Sequence, residues 1–287
     1  YNVIIVPSLW GGELHTATDA LKTWIQAGGT LIAIGSSARS ITSTADNTGF
    51  SSARTIDHTL DDLDEYEQAV LREFVGRRTE VELGDPFAEH VGDGVTYPWN
   101  DAPDRPSKEE RKRRDDWSEA FMPSGVVLAA RTDDRHWLTI GCPDEMPVLH
   151  TGDGVLMAKP PVQAAIRFGV FEPTPEAPKK SNDDAAKENG EGKDGEKTDA
   201  QKRARAGWAM LPAGQQLRLR LAGLLWPEAS QRIANSAYVT RERVGNGQII
   251  LFASDPLFRA ATLGTARIFS NAVVYGPGLG AQEPILP

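Results

Sequence analysis

The chain has 287 residues, enough for one large domain or two small ones, and 40% of them are apolar, which is ample for a buried core. Its formal net charge of -9 argues against a nucleic-acid or anionic-membrane binder, because both need clustered Lys and Arg. A single cysteine, Cys142, excludes an internal disulfide and a Cys-based zinc cluster, and no run approaches the ~20 apolar residues of a membrane span.

The first residues, "YNVIIVP", already read as an interior strand. Continuous β-branched apolar residues suit a strand covered on both faces, as in a parallel sheet. A chain that opens in mid-sheet is expected to be part of a longer protein. Thr16 is a plausible helix cap, and Ala17, Ala20, Leu21, Trp24 and Ile25 form a helical stripe that Gly28-Gly29 would stop. "TLIAI" is then a second buried strand, so residues 2–34 predict a parallel strand-helix-strand unit.

Residues 43–122 read as an insertion with helices. Leu60, Leu63, Val70, Leu71, Phe74 and Val75 mark one amphipathic helix, with Asp61 and Asp62 at its start and Arg77 and Arg78 at its end, matching the macrodipole. "APDRPSKEERKRRDDW" interleaves acids with bases and lacks an aromatic ladder, which suits a solvated helix or flexible insert. From Gly125 the chain turns β-rich in "GVVLAAR", "MPVLHTG" and "VQAAIRFG". Residues 172–206 are charged and nearly without large apolar side chains, so they predict a disordered surface loop. Beyond it, Val244-Gly245-Asn246-Gly247-Gln248 signals a hairpin, and "IILFA" is expected to join the sheet of residues 3–6 and 31–34. A last helix follows, and the whole reads as one domain over 1–287.

None of the five histidines, His15, His58, His90, His136 and His150, sits in H-x-x-E or H-E-x-x-H, so no metal ligand is assigned. Walker-type and G-x-G-x-x-G phosphate loops are also missing from the sequence. "AIGSSAR" approaches the nucleophile elbow G-x-S-x-G but has Arg39 where the second Gly belongs. Ser36 or Ser37 is more simply the cap of the following helix. In an open parallel sheet, ligands bind beyond the carboxyl ends of the strands. Here those ends are "PSLWGG", "GSSARS" and "SDPLFR", so Trp10, Ser36, Ser37, Asp255 and Arg259 are candidates for one crevice, with an Asp255–Arg259 capping ion pair as the bland alternative. Trp226-Pro227-Glu228 is a candidate pocket wall or a core-closing turn.

Several stretches taken together resemble the C-terminal accessory domain of a group of bacterial zinc carboxypeptidases, a domain itself similar to class I glutamine amidotransferases. They are "YNVIIVPS", "LKTWIQAGGTLIAIGSSA", "FMPSGVVLAARTDDRHWLTIGCPDEMPVL", "LAGLLWPEA" and "VGNGQIILFASDPLFRAATLGTARIFSNAVVYGPG", the last being the most specific. The resemblance implies an α/β, flavodoxin-like three-layer sandwich with a mainly parallel sheet, inserted loops and extra β structure. It also implies a parent that removes C-terminal residues from peptides, with zinc bound in an upstream catalytic domain and no cofactor in this chain. That upstream domain is the implied partner, a peptide the implied substrate, and export to the periplasm or exterior the implied location. Amidotransferases carry a nucleophilic Cys where this chain has Gly35, so the expected function is a non-catalytic accessory domain. Two other functions stay open from the residues alone: a serine hydrolase using Ser36 or Ser37 with Asp255, and a sugar- or peptide-binding module using Trp10 and Trp226.

Overall fold

The computed structural model describes residues 1–8, 18–42, 50–78, 106–152, 154–174, 205–260 and 262–281. In chain order, β1 (Val3–Val6), α1 (Thr18–Gln26), β2 (Thr30–Ile34) and α2 (Ser36–Ile41) open the chain. Next come β3 (Arg54–Thr55), α3 (Ile56–Thr59), α4 (Leu63–Arg78) and α5 (Lys108–Glu119). The β-rich part contains β4 (Val126–Thr132), β5 (Glu145–His150), β6 (Leu156–Met157), β7 (Gln163–Phe168) and β8 (Val170–Pro173). After the segment outside the described residues come β9 (Arg205–Ala206), β10 (Ala209–Met210), β11 (Gln215–Arg218), β12 (Arg220–Ala222) and α6 (Pro227–Ile233). The hairpin β13 (Ala237–Val244) and β14 (Gly247–Phe252) and the helix α7 (Leu263–Tyr275) close the fold.

One ten-stranded mixed sheet runs in the order β1-β2-β14-β13-β7-β4-β12, with β5, β6 and β3 attached beside that path. The expected parallel sheet is the β1-β2-β14 portion, where Ile5 faces Ile32 and Ile32 faces Ile250. From β14 onward, through β13, β7 and β4 to β5 and β12, the ladders are antiparallel, so the sheet as a whole is mixed rather than mainly parallel. At β13–β14 the physical reason is the two-residue Gly245-Asn246 turn, which can only join antiparallel neighbours. Gly247 is required there: a Cβ on it would lie 2.1 Å from the Ile25 carbonyl oxygen at the end of α1.

Every residue of β2 is buried, as its unbroken apolar run predicts for a strand flanked and covered. Adjacent residues on a strand point to opposite faces. Phe168 of β7 therefore joins Tyr238, Phe252 and Phe269 of α7 in an edge-to-face row with centroids 5.6 to 6.2 Å apart. Arg167, its neighbour, points the other way and meets Glu73 of α4. Helices thus cover both faces of the sheet. The described parts of the 43–122 insertion are built into this core, since Ile56, Leu60, Leu63, Tyr66 and Val70 are all buried in it. Of the low-complexity stretch 172–206, residues 175–204 lie outside the described residues, and its two ends belong to β8 and β9.

The mixed-charge run forms a helix, α5, but one face of it is not solvated. Arg232 of α6, itself 2% exposed, grips Asp115 with two hydrogen bonds of 2.9 and 3.1 Å and reaches Asp57 at 3.3 Å. Burial pushes the Asp115 carboxyl up to about 6, Arg232 opposing and Asp57 adding to the rise. The folded state therefore keeps a proton up to about pH 6 that the unfolded chain releases near 3.8, so stability falls as pH rises through that window. Asp115→Asn should remove a slope worth on the order of 2–3 kcal/mol between pH 4 and 7, measured as the difference between wild-type and variant urea melts. Asp57 and Glu119 remain to hold Arg232 in the variant.

Candidate functional site

The carboxyl ends of β1, β2 and β14 lie side by side, because their parallel ladders bring Val6 beside Ala33 and Phe252 beside Ile34. Beyond β2 the chain turns sharply at Gly35, with φ 56 and ψ -121, and enters α2 at once. The Gly35 amide donates to the Phe252 carbonyl at 2.9 Å, which pins the turn to the neighbouring strand end. A positive φ with this ψ is open to glycine and strained for residues with a Cβ. A Cβ at Gly35 would also stand 3.0 Å from Ser8 Oγ. The geometry is that of a nucleophile elbow whose apex has no side chain.

Neither Ser36 nor Ser37 caps α2. Gly35 occupies the cap position, and the hydroxyl of Ser8, from the end of β1, accepts from the Ser36 amide at 3.3 Å. Ser36 Oγ lies 2.9 Å from Ser8 Oγ and is exposed. Ser37 is buried, and its hydroxyl donates to the Pro7 carbonyl at 2.6 Å. Ser8, which the sequence did not single out, does the capping because the parallel register sets it beside the turn. Both chemically named serines are thus held by the end of β1.

On the β14 side, Ser254 Oγ donates to the Leu149 carbonyl at 2.7 Å. Asp255 is exposed and accepts from the Leu257 amide at 2.8 Å, closing a local turn. The expected Asp255–Arg259 ion pair is not formed. Arg259 has a left-handed backbone, φ 51, and its guanidinium lies over the ring of its own neighbour Phe258. Arg259 and Ala260 both break the helical path, so α7 begins only at Leu263. The loop between β5 and β6 closes the crevice from the side: the Cβ position of Gly154 is 3.4 Å from both the Ala253 carbonyl and Arg39 Cδ. Tyr238, buried at this end of β13, has its phenol pushed up by burial and by the charge of Asp255.

Trp226 and Glu228 belong elsewhere. Trp226 precedes the first residue of α6, where Pro227 starts the helix, and its ring lies 6.1 Å from Phe121, which in turn lies 5.2 Å from Trp117. Trp117 and Trp226 are 61% and 50% exposed, so Trp226 is no core-closing residue but one of three rings in an open aromatic cluster. Glu228 sits in the first turn of that helix. Trp10, His15 and His90 lie outside the described residues.

The described histidines are placed as follows. His58 lies in the last turn of α3, where its carbonyl accepts from Arg54. His136 Nδ1 accepts from the Leu138 amide, and the buried His150 ring stacks on Phe168 at 5.2 Å. Cys142 is half-buried, and burial pushes its thiol up against the pull of Arg267, opposite to the shift an activated nucleophile needs. Among the described residues no group of three or more His, Cys, Asp or Glu side chains is arranged to hold a metal ion. No helix among them is long and apolar enough to cross a membrane.

One concave feature was not foreseen. A groove of about 560 Å³ opens between α4 and the 159–164 segment at the amino end of β7, away from the strand-end crevice. Glu65, Gln68, Ala69, Arg72 and Glu73 supply one wall. In the sequence these positions carry no large apolar side chain and read as an ordinary solvent face.

No protein-family model, no curated protein and no solved structure matches the chain.

Proposed function

We propose that this chain is a non-catalytic, flavodoxin-like domain similar to class I glutamine amidotransferases. It would pack on and modulate a zinc-dependent carboxypeptidase domain encoded upstream, in an exported protein. The observation that carries the reading is the turn at Gly35. It has the strand-turn-helix form and left-handed φ of a nucleophile elbow, at the end of a central parallel strand, with nothing at its apex able to attack a carbonyl carbon. Of the hydroxyls beside it, Ser36 Oγ lies against Ser8 Oγ and Ser37 donates to the Pro7 carbonyl. Zinc, in this reading, belongs to the upstream domain and supplies a Lewis acid there.

Two measurements test the proposal. The coding sequence before Tyr1 should contain H-x-x-E followed by a later His, and its absence would remove the carboxypeptidase link. The chain itself should hydrolyse no glutamine and take no fluorophosphonate label. Labelling that vanishes in Ser36→Ala would instead establish the serine hydrolase.

A second reading rests on the exposed Trp117–Phe121–Trp226 cluster, which has the flat, tilted rings of a sugar- or peptide-binding platform. A change in tryptophan fluorescence with oligosaccharide or peptide, lost in Trp226→Ala, would support it.

A further inference from the structure

The groove beside α4 has the size range of small-molecule sites. Its floor is apolar: Val162 and Ala164 are buried beneath it, and Ala69 and Pro160 line its sides. Most of the charges around it are already spent inside the protein. Glu73 uses both oxygens on Arg167. Lys159 donates to Glu65. Asp133 accepts from the Arg135 amide.

Two groups on the wall are not engaged. Gln68 and Arg72 are four residues apart on α4, hence neighbours on one helix face. Among the described residues neither has a hydrogen-bond or ion-pair partner. A guanidinium fork with an amide donor one turn away matches the two oxygens of a carboxylate. We propose that the groove binds a small carboxylate carrying a short apolar body, its head on Arg72 and Gln68 and its body on Val162 and Ala164. Cations are disfavoured as ligands because Glu73 and Glu65 are paired with Arg167 and Lys159, whereas Arg72 has no acid partner among the described residues. The proposal is independent of the amidotransferase reading, since it involves none of the strand-end residues.

Saturation-transfer NMR on the whole chain with hexanoate, hexanamide and hexylamine tests it. Hexanoate should bind saturably with Kd near 1 mM, as expected for roughly eight heavy atoms at modest ligand efficiency, and the amide and amine at least tenfold more weakly. Arg72→Gln should weaken hexanoate at least tenfold and Gln68→Leu about threefold, each with unchanged thermal melting, because neither side chain supports the fold. Equal binding of the three probes, preference for the amine, or an Arg72→Gln variant with unchanged affinity would overturn the assignment.

Discussion

Arg167→Met is expected to cost about 3–5 kcal/mol, the range for removing one partner of a buried ion pair. The guanidinium is 2% exposed and makes three hydrogen bonds to Glu73, at 3.0, 3.1 and 2.7 Å. It also donates to the Asn235 carbonyl at 3.2 Å and the Ala158 carbonyl at 3.0 Å. Burial disfavours the charge, but Glu73 and Tyr66 more than offset that, so the group is held charged. Methionine fills the space and abandons one carboxylate and two carbonyls together. The cost should therefore lie in unpaired acceptors rather than in a cavity, and the thermal midpoint should drop by about 10 °C. Glu73→Gln keeps an acceptor and sits nearer solvent, so it should cost about 1–2 kcal/mol. Urea denaturation of both variants and of Arg167→Met/Glu73→Leu checks the argument: the double variant should recover part of the loss. A cost below about 1 kcal/mol for Arg167→Met would contradict it.

Gly35→Ala is the second large effect, at about 2–3 kcal/mol. Most of it comes from forcing a residue with a Cβ into φ 56, ψ -121. The rest is steric, because that Cβ would meet Ser8 Oγ at 3.0 Å and Ser8 Cβ at 3.2 Å. The two parts separate in a double-mutant cycle with Ser8→Gly, which should relieve the contact and leave the backbone penalty. Gly35→Cys places the amidotransferase residue type at the elbow and should carry a similar cost. On the non-catalytic reading it should hydrolyse no glutamine. Glutamine turnover by Gly35→Cys would mean that a catalytic base stands at the crevice after all.

Much of the element list was legible in the sequence. The strands "VIIV", "TLIAI" and "IILFA", the α1 and α4 stripes, the Gly245-Asn246 hairpin and the final helix all follow from patterns spanning fewer than about fifteen residues. The α5 run read as either a solvated helix or a flexible insert, and its partly buried face was illegible. Its Asp115 looks like any surface carboxylate until Arg232, 117 residues later, is folded onto it. The serines show the same limit. Ser36 and Ser37 have the composition of a helix cap, but the capping oxygen comes from Ser8, 28 residues earlier in the chain. Asp255 and Arg259 have the spacing of a helical ion pair, and the left-handed backbone at Arg259 removes the helix on which that spacing depends.

The sequence by itself determined β1, β2, β14, the α1, α4 and α7 helices, the hairpin and the glycine at the elbow, because backbone hydrogen bonding and apolar periodicity act over a few residues. Tertiary structure alone decided that the sheet continues antiparallel from the hairpin through β7, β4, β5 and β12, which oxygen caps α2, which arginine neutralises which acid, and that α4 leaves Gln68 and Arg72 unengaged above an apolar groove. Polar side chains take whichever partner the topology brings within about 3 Å, and that partner lies anywhere in the chain.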